Sequence, residues 1–368
     1  MPKHLKLYIM KFFFLVTSIL LFMHATAQDE LKESPRLLEV ARFDHYQPIG
    51  VAVTATGRVF VTFPYRQPYE WGVAEIVDGQ RRPYPDKEWN RYDSLQPENH
   101  FINAQAVWPD DRGKLWVLDP ANPDDQEAKP RGVKLLRIDL ATNKVEQVYR
   151  FEDLPRERTA LNDVRIDTRR ELAYISEPKQ AAIIVLNLKT GKSRMVLKED
   201  KSVKADPDFK LHIDGKEVVD DKGKPFSSNV NGIALTHDLE YFYYRAINQT
   251  KLYRIATQYL ADENLTDAQL GSHVEQVGET GVSHGMIADA KGNVYTTDSP
   301  NKALRYVTAD GRFETLVRDK RLIWPDTYSI GPDGYLYITC SQINRTKKYN
   351  NGEDKVEYPF RLYKIKLP

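Results

Sequence analysis

Five polar side chains recur at one place in a repeating pattern, and among the 368 residues they are the ones best placed to do chemistry. Asn103, Asn162, Asn231, His284 and Asp326 each stand at, or one residue ahead of, the first position of a short alternating apolar segment, with Ile49 at the same position of a sixth segment. A histidine whose ordinary pKa is close to neutrality can accept or donate a proton. A nearby carboxylate can orient it, and neutral amides can hydrogen-bond a ligand without adding charge. Any one of these residues alone reads as an ordinary hydrogen-bonding group filling a water-lined channel. Their recurrence at one register points to a single convergent site. No His-Glu-x-x-His motif and no phosphate-binding glycine loop competes with it.

To bring those positions together the chain needs a repeated element, and the repeat is visible. Ile49-Gly50-Val51-Ala52-Val53 is followed by Arg58-Val59-Phe60-Val61-Thr62, and Asn162-Asp163-Val164-Arg165-Ile166 by Glu171-Leu172-Ala173-Tyr174-Ile175. The same pairing begins at Ala104, Asn231, His284 and Asp326. Period-two alternation with aromatic and β-branched residues means strands, and the turns between them carry Thr56-Gly57, Lys291-Gly292 and Asp333-Gly334. Most units add a second hairpin, such as Leu304–Val307 turning through Asp310-Gly311 into Phe313–Val317. Four strands in each of six units predict an all-β, six-bladed propeller of antiparallel blades. The sixth unit has one strand too few at the C-terminus, and residues 36–43 supply it by pairing with residues 360–367. Closure of this kind removes an open edge.

Three segments depart from the repeat: residues 64–102, rich in Tyr, Pro and Trp; the charged residues 198–230; and residues 258–274, which read as a short helix after Asp262. Loops of this kind leave one face of a propeller and roof its axial cavity.

The ends of the chain and its charge bound the setting. Lys3, Lys6 and Lys11, an apolar run from Phe12 to Met23, and Ala25-Thr26-Ala27 before Gln28 make residues 1–27 a secretory signal peptide, with residues 28–368 the propeller. The apolar run is well short of the ~20 residues that span a bilayer. Removing the leader takes away three lysines and no acid, leaving 50 basic against 52 acidic residues. The leader predicts a secreted protein, extracellular or periplasmic, with no membrane attachment after cleavage, and the charge balance predicts no nucleic-acid partner; a monomeric state is the expectation. The single cysteine, Cys340, excludes a disulfide framework and reads as a buried apolar residue.

The segments Arg58-Val59-Phe60-Val61-Thr62-Phe63-Pro64, Leu115-Trp116-Val117-Leu118-Asp119, Leu161-Asn162-Asp163-Val164-Arg165, Trp324-Pro325-Asp326-Thr327 and Pro359-Phe360-Arg361-Leu362-Tyr363 together resemble the major royal jelly protein and Yellow family, in its bacterial branch. A more distant likeness is to the gluconolactonase and regucalcin-like propellers. The first resemblance implies a secreted six-bladed propeller that binds, and in some members isomerises, a small planar or amine-bearing molecule, as in dopachrome conversion. It implies an axial site with His284 as base, Asp326 orienting it, and Asn103, Asn162, Asn231, Trp324, Thr327 and Tyr328 contacting the ligand, with Trp71 a further ring for stacking. The second implies a metal-dependent lactonase, with a divalent ion held by Asn162, Asn231 and Asp326. Against it, the first-blade acid is replaced by Gln47-Pro48-Ile49 and a later aspartate by His284. The expectation is therefore that no cofactor is required and that a divalent metal on the axis remains an option. A non-catalytic interaction protein is the third reading, since fold alone does not select among these.

Overall fold

Val51–Val53 pairs antiparallel with Val59–Thr62, and the same inner hairpin is built six times around one axis. The computed structural model describes residues 31–123 and 128–368; the expected leader lies outside the described residues. Each inner hairpin continues outward into a sheet of four strands, and the six such sheets are the blades of a propeller. Among the described residues no helix is long and apolar enough to cross a membrane.

The blades are held by side chains wedged between neighbouring sheets. Tyr174, Ile183 and Val196 of the third blade pack on Ile233, Phe242 and Tyr244 of the fourth, all essentially without exposure. Trp116, Leu118 and Leu135 of the second blade meet Ile175, Ile184 and Leu186 of the third. Burying both faces of a strand explains why the inner strands read as near-continuous apolar runs. Toward the axis the inner strands approach too closely for side chains. A Cβ on Gly285 would sit 1.8 Å from the Asp326 carbonyl oxygen, and one on Gly232 would sit 2.9 Å from the His284 carbonyl oxygen.

The sixth blade closes as the sequence predicts. Leu38–Arg42 is its outermost strand, with Leu38 opposite Lys364 and Arg42 opposite Arg361. Asp319 and Arg321 fasten the entering chain: the Ser34 N–H donates to Asp319 at 2.7 Å, and Arg321 donates to the carbonyls of Ser34 and Leu37.

Two expectations about the departing segments need correction. Residues 64–102 are not wholly an insertion, because Val73–Val77 and Gln80–Pro83 are the outer hairpin of the first blade. Their turn, Asp78-Gly79, has positive φ at both residues (52° and 75°), the two-residue geometry that Asp-Gly favours. Residues 258–274 hold two short helices rather than one, Thr257–Ala261 and Asp267–Ser272, the second capped reciprocally by Thr266 and Gln269. The charged segment forms a small hairpin, His212–Ile213 with Lys216–Glu217, and then runs back over the axis.

Candidate functional site: the axial chamber

Because the first residues of the inner strands crowd one end of the axis, their side chains share one cavity of about 340 Å³. Asn103, Asn162, Asn231, His284 and Asp326 all line it, together with Ile49 and Trp324. Loops from three places complete the wall: Arg66, the stretch around Phe226, and Tyr349.

The amides differ in how far the protein uses them. Asn103 is fully engaged, accepting from the Tyr65 N–H at 2.7 Å and donating to Asn122 at 2.9 Å. Its backbone N–H, like that of Ile102, is captured by Asp119, which is paired with Lys134 at 3.0 Å in full burial. Asn162 accepts from the Gln105 amide at 3.2 Å. The Asn231 side chain has no hydrogen bond among the described residues, and it faces the cavity.

His284 is the most unusual group. It is 3% exposed, its backbone N–H donates to the Thr297 hydroxyl at 2.8 Å, and among the described residues neither ring nitrogen has a hydrogen-bond partner. Buried polar atoms are nearly always paired, so two orphaned nitrogens on one cavity wall are a place for something else to bind. Burial, with the nearby Arg245 charge adding to it, lowers its pKa to about 3. The ring is therefore neutral, with one N–H donor and one acceptor. It lies against Trp324, centroids 4.2 Å apart and planes 20° apart, and Phe226 meets the other part of the indole edge-on at 5.2 Å. Trp324 adopts a left-handed backbone (φ 51°), uncommon for a bulky residue. Strain of that kind, held at a cavity wall, marks a site whose geometry is fixed by its surroundings.

Asp326 does not orient His284. Its carboxylate accepts from the Ser341 hydroxyl at 2.8 Å and lies within 3.5 Å of the Thr327 hydroxyl. Burial pushes its pKa up to about 7, opposed by the Ser341 hydrogen bond and Arg66 and reinforced by Asp163. Thus the carboxyl group, and not the imidazole, is the one poised to exchange a proton near neutral pH.

Three of the anticipated ligand contacts lie elsewhere. Tyr328 is 1% exposed in the core between the fifth and sixth blades, beside Ile287 and Leu336. A bulge between Pro325 and Tyr328 breaks the alternation that would have kept Tyr328 on the face of Asp326. Thr327 is not on the cavity wall, although its hydroxyl touches Asp326. Trp71 instead lies beneath the Arg81 guanidinium, 5.2 Å from the ring. Conversely, Arg66, Phe226 and Tyr349 were not singled out by sequence, since no repeat marks a loop position.

Below the chamber the axis is plugged. Arg165, fully buried, donates to Asp163 at 2.7 Å and to the Val164 and Met286 carbonyls, and its guanidinium covers Trp108 at 4.4 Å. Asp163 is thereby committed to an ion pair. That leaves Asp326 as the axial carboxylate without a cationic partner of its own in the chamber floor, and Asn162 already accepting a hydrogen bond. Among the described residues no three His, Cys, Asp or Glu side chains converge. A divalent ion prefers several oxygen donors with more than one carboxylate, so this donor set fits one poorly.

The chain is similar in fold to several solved propellers. One is a luciferin-regenerating enzyme, at 12% identity over 91% of this chain and 96% of that chain, TM-score 0.56. A gluconolactonase from Xanthomonas campestris aligns at 12% identity over 90% and 89%, TM-score 0.55. Regucalcin, a calcium-binding protein from Agrobacterium tumefaciens, aligns at 14% identity over 89% and 93%, TM-score 0.51. At such identities the likeness is one of fold. No curated protein matches by sequence. The family model described as "Major royal jelly protein" matches residues 103–367, well over half of the sequence and five of the six blades. The chain belongs to the major royal jelly protein family.

Proposed function

We propose that the axial chamber binds a small planar molecule and isomerises it by moving a proton, in the manner of dopachrome tautomerisation, in a secreted, monomeric protein. The observation that carries this reading is His284: buried, neutral, stacked on Trp324, and with both ring nitrogens lacking a partner among the described residues. A planar ring entering beside it finds aromatic surface in Trp324 and Phe226 and hydrogen-bonding groups in His284 and Asn231.

The proton chemistry falls to Asp326. As carboxylate it takes the proton from the ring carbon next to an electron-poor iminium. The released electron pair moves into the quinone, whose oxygen gains a proton, so no net oxidation occurs. The His284 N–H and the Asn231 amide stabilise charge as it grows on that oxygen. A pKa near the working pH balances the fraction ionised against basicity. No step requires a metal.

The test is tautomerisation of dopachrome above its spontaneous rate, with binding of the non-reactive ring 4-methylcatechol measured in parallel. Asp326→Asn is expected to lose activity by about 10²-fold or more while still binding the ring; His284→Ala is expected to lose binding. No acceleration and no binding would overturn the reading. Lactone hydrolysis abolished by a chelator would favour a metal-dependent lactonase, and capture of a protein partner with no small-molecule binding would favour an interaction protein.

A further inference from the structure

Residues 206–228, inserted between the third and fourth blades, run over the axial chamber, and Asp220, Lys224, Phe226 and Ser228 stand on its wall. Both feet of the segment rest on one residue, Asn248, 1% exposed just beyond the fourth blade's second strand, Tyr241–Ala246. The Asp206 N–H donates to the Asn248 carbonyl at 2.8 Å. The Ser228 N–H donates to the Asn248 side-chain oxygen at 2.9 Å, and the Asn248 amide donates to the Phe226 carbonyl at 2.8 Å. The far end is the two-residue turn Asp214-Gly215, with φ of 51° and 75°. There Asp214 pairs with Lys302 of the fifth blade at 2.7 Å and reaches Arg345 of the sixth at 4.0 Å. Hydrogen bonds fasten the feet, and charge fastens the tip.

Little apolar surface lies between. Leu211, Ile213 and Val218 are the buried apolar side chains of the segment, and they rest on Ile247, Val282 and Trp324. The clusters that join neighbouring blades are far larger, such as the one holding Tyr174, Ile183, Ile233 and Phe242. An element with few buried apolar contacts opens at lower free energy than the core around it. Phe226, partly buried, meets Trp324 edge-on at 5.2 Å, and Trp324 stacks on His284. The position of this segment therefore sets how much of the His284–Trp324 wall a ligand can reach.

We propose that residues 206–228 are a hinged cover of the axial chamber, with Asn248 as hinge, Asp214 as latch and Phe226 as the face that closes on the ligand. This names the regulation of the proposed ring-binding site and rests on that reading. The Asp214 side chain is 46% exposed, and ion pairs so placed are weak. Losing the latch raises the open population about two- to fivefold. Such a latch holds the cover shut at rest and lets it open without unfolding a blade. Salt, which screens the pairs, loosens it.

Asp214→Asn is the sharpest variant, because asparagine tolerates the left-handed turn position and only the charge is lost. Hydrogen exchange of the whole protein, read by mass spectrometry with and without 4-methylcatechol, is combined with stopped-flow binding of the same ring. Peptides covering 206–228 are expected to exchange faster than the inner strands. They exchange about two- to fivefold faster again in Asp214→Asn and in Lys302→Gln, while blade peptides stay unchanged and report that both variants are folded. Added 4-methylcatechol slows this exchange, and its association rate rises by the same factor in both variants. High salt brings the wild type to the rate of Asp214→Asn. A segment that exchanges as slowly as the blades, or that ignores both substitutions, is a fixed wall and overturns the cover while ring binding stands. A segment freed by Asp214→Asn in a protein that binds no ring would instead sink the axial reading, and the cover would lose its ligand with it.

Discussion

The axial chamber and the plug beneath it are built from the same six inner strands, within four residues of one another, yet they treat buried polar groups in opposite ways. In the plug, Arg165 finds Asp163, two carbonyls and the face of Trp108. In the chamber, among the described residues, His284 has no hydrogen bond to either ring nitrogen, and Asp326, its pKa raised by burial, has only hydroxyls for hydrogen-bond partners. Further along the axis the same strands end in an apolar bowl, where Val53, Trp108, Ile166, Leu235 and Ile330 contribute one residue from each of five blades. Partnered charge closes the channel and stabilises it. Unpartnered polarity at the chamber wall is destabilising for the free protein, and a ligand is what can offset it.

Breaking the plug should have the largest effect. Asp163→Ala leaves the Arg165 guanidinium buried without its carboxylate, and unfolding free energy measured by denaturant titration should fall by about 3–5 kcal/mol. A loss below about 1 kcal/mol would mean that the pair is solvated and the comparison false.

Crowding the seam between the fifth and sixth blades comes next. Gly285→Ala places a methyl group against the Asp326 backbone, with no flexible side chain to move aside. We expect a loss of about 1–3 kcal/mol, accompanied by loss of ring binding because Asp326 shifts with its carbonyl.

The opposite sign is expected at the chamber wall. His284→Leu removes two unsatisfied nitrogens at similar volume, so stability should stay within about 1 kcal/mol of the wild type or rise. Binding of 4-methylcatechol should be lost in the same variant. A strongly destabilised His284→Leu protein would place His284 with the plug, as a structural residue.

Titration gives the smallest and most discriminating effect. The native His284 pKa lies near 3, below its ordinary 6.5. The unfolded chain then binds more protons between these values, and stability falls as pH drops through that window. Asp326 is raised from 3.8 to about 7, so the native state holds the extra proton and its contribution is lost as pH rises from about 4 to 7. Because these windows overlap with opposite signs, the two contributions offset each other between about pH 4 and 6.5; denaturation midpoints should therefore fall as pH rises from 4 to 7 in His284→Leu and rise with pH over that range in Asp326→Asn.

Much of this architecture is legible in the sequence because strands write themselves in a two-residue period and the period repeats. The shared starting position of Asn162, Asn231, His284 and Asp326 is enough to bring them into one cavity. The repeat carries no information where it is broken. The bulge before Tyr328 reverses the face of that side chain, and a count of residues cannot detect it. The His284–Trp324 stack joins two blades across 40 positions, and Arg66, Phe226 and Tyr349 arrive on loops with no counterpart in other units. Asp78-Gly79 is a different case: the turn signal was present, but the Tyr- and Pro-rich context around it hid the first blade's outer hairpin.

The most direct test of the central claim is nitrogen NMR of the histidine rings, with the His284→Leu protein assigning the signal among the chain's eight histidines. The account predicts a His284 ring that stays neutral down to about pH 4 and whose nitrogen resonances move when 4-methylcatechol is added. A His284 that titrates near 6.5 and does not respond to the ring would contradict it.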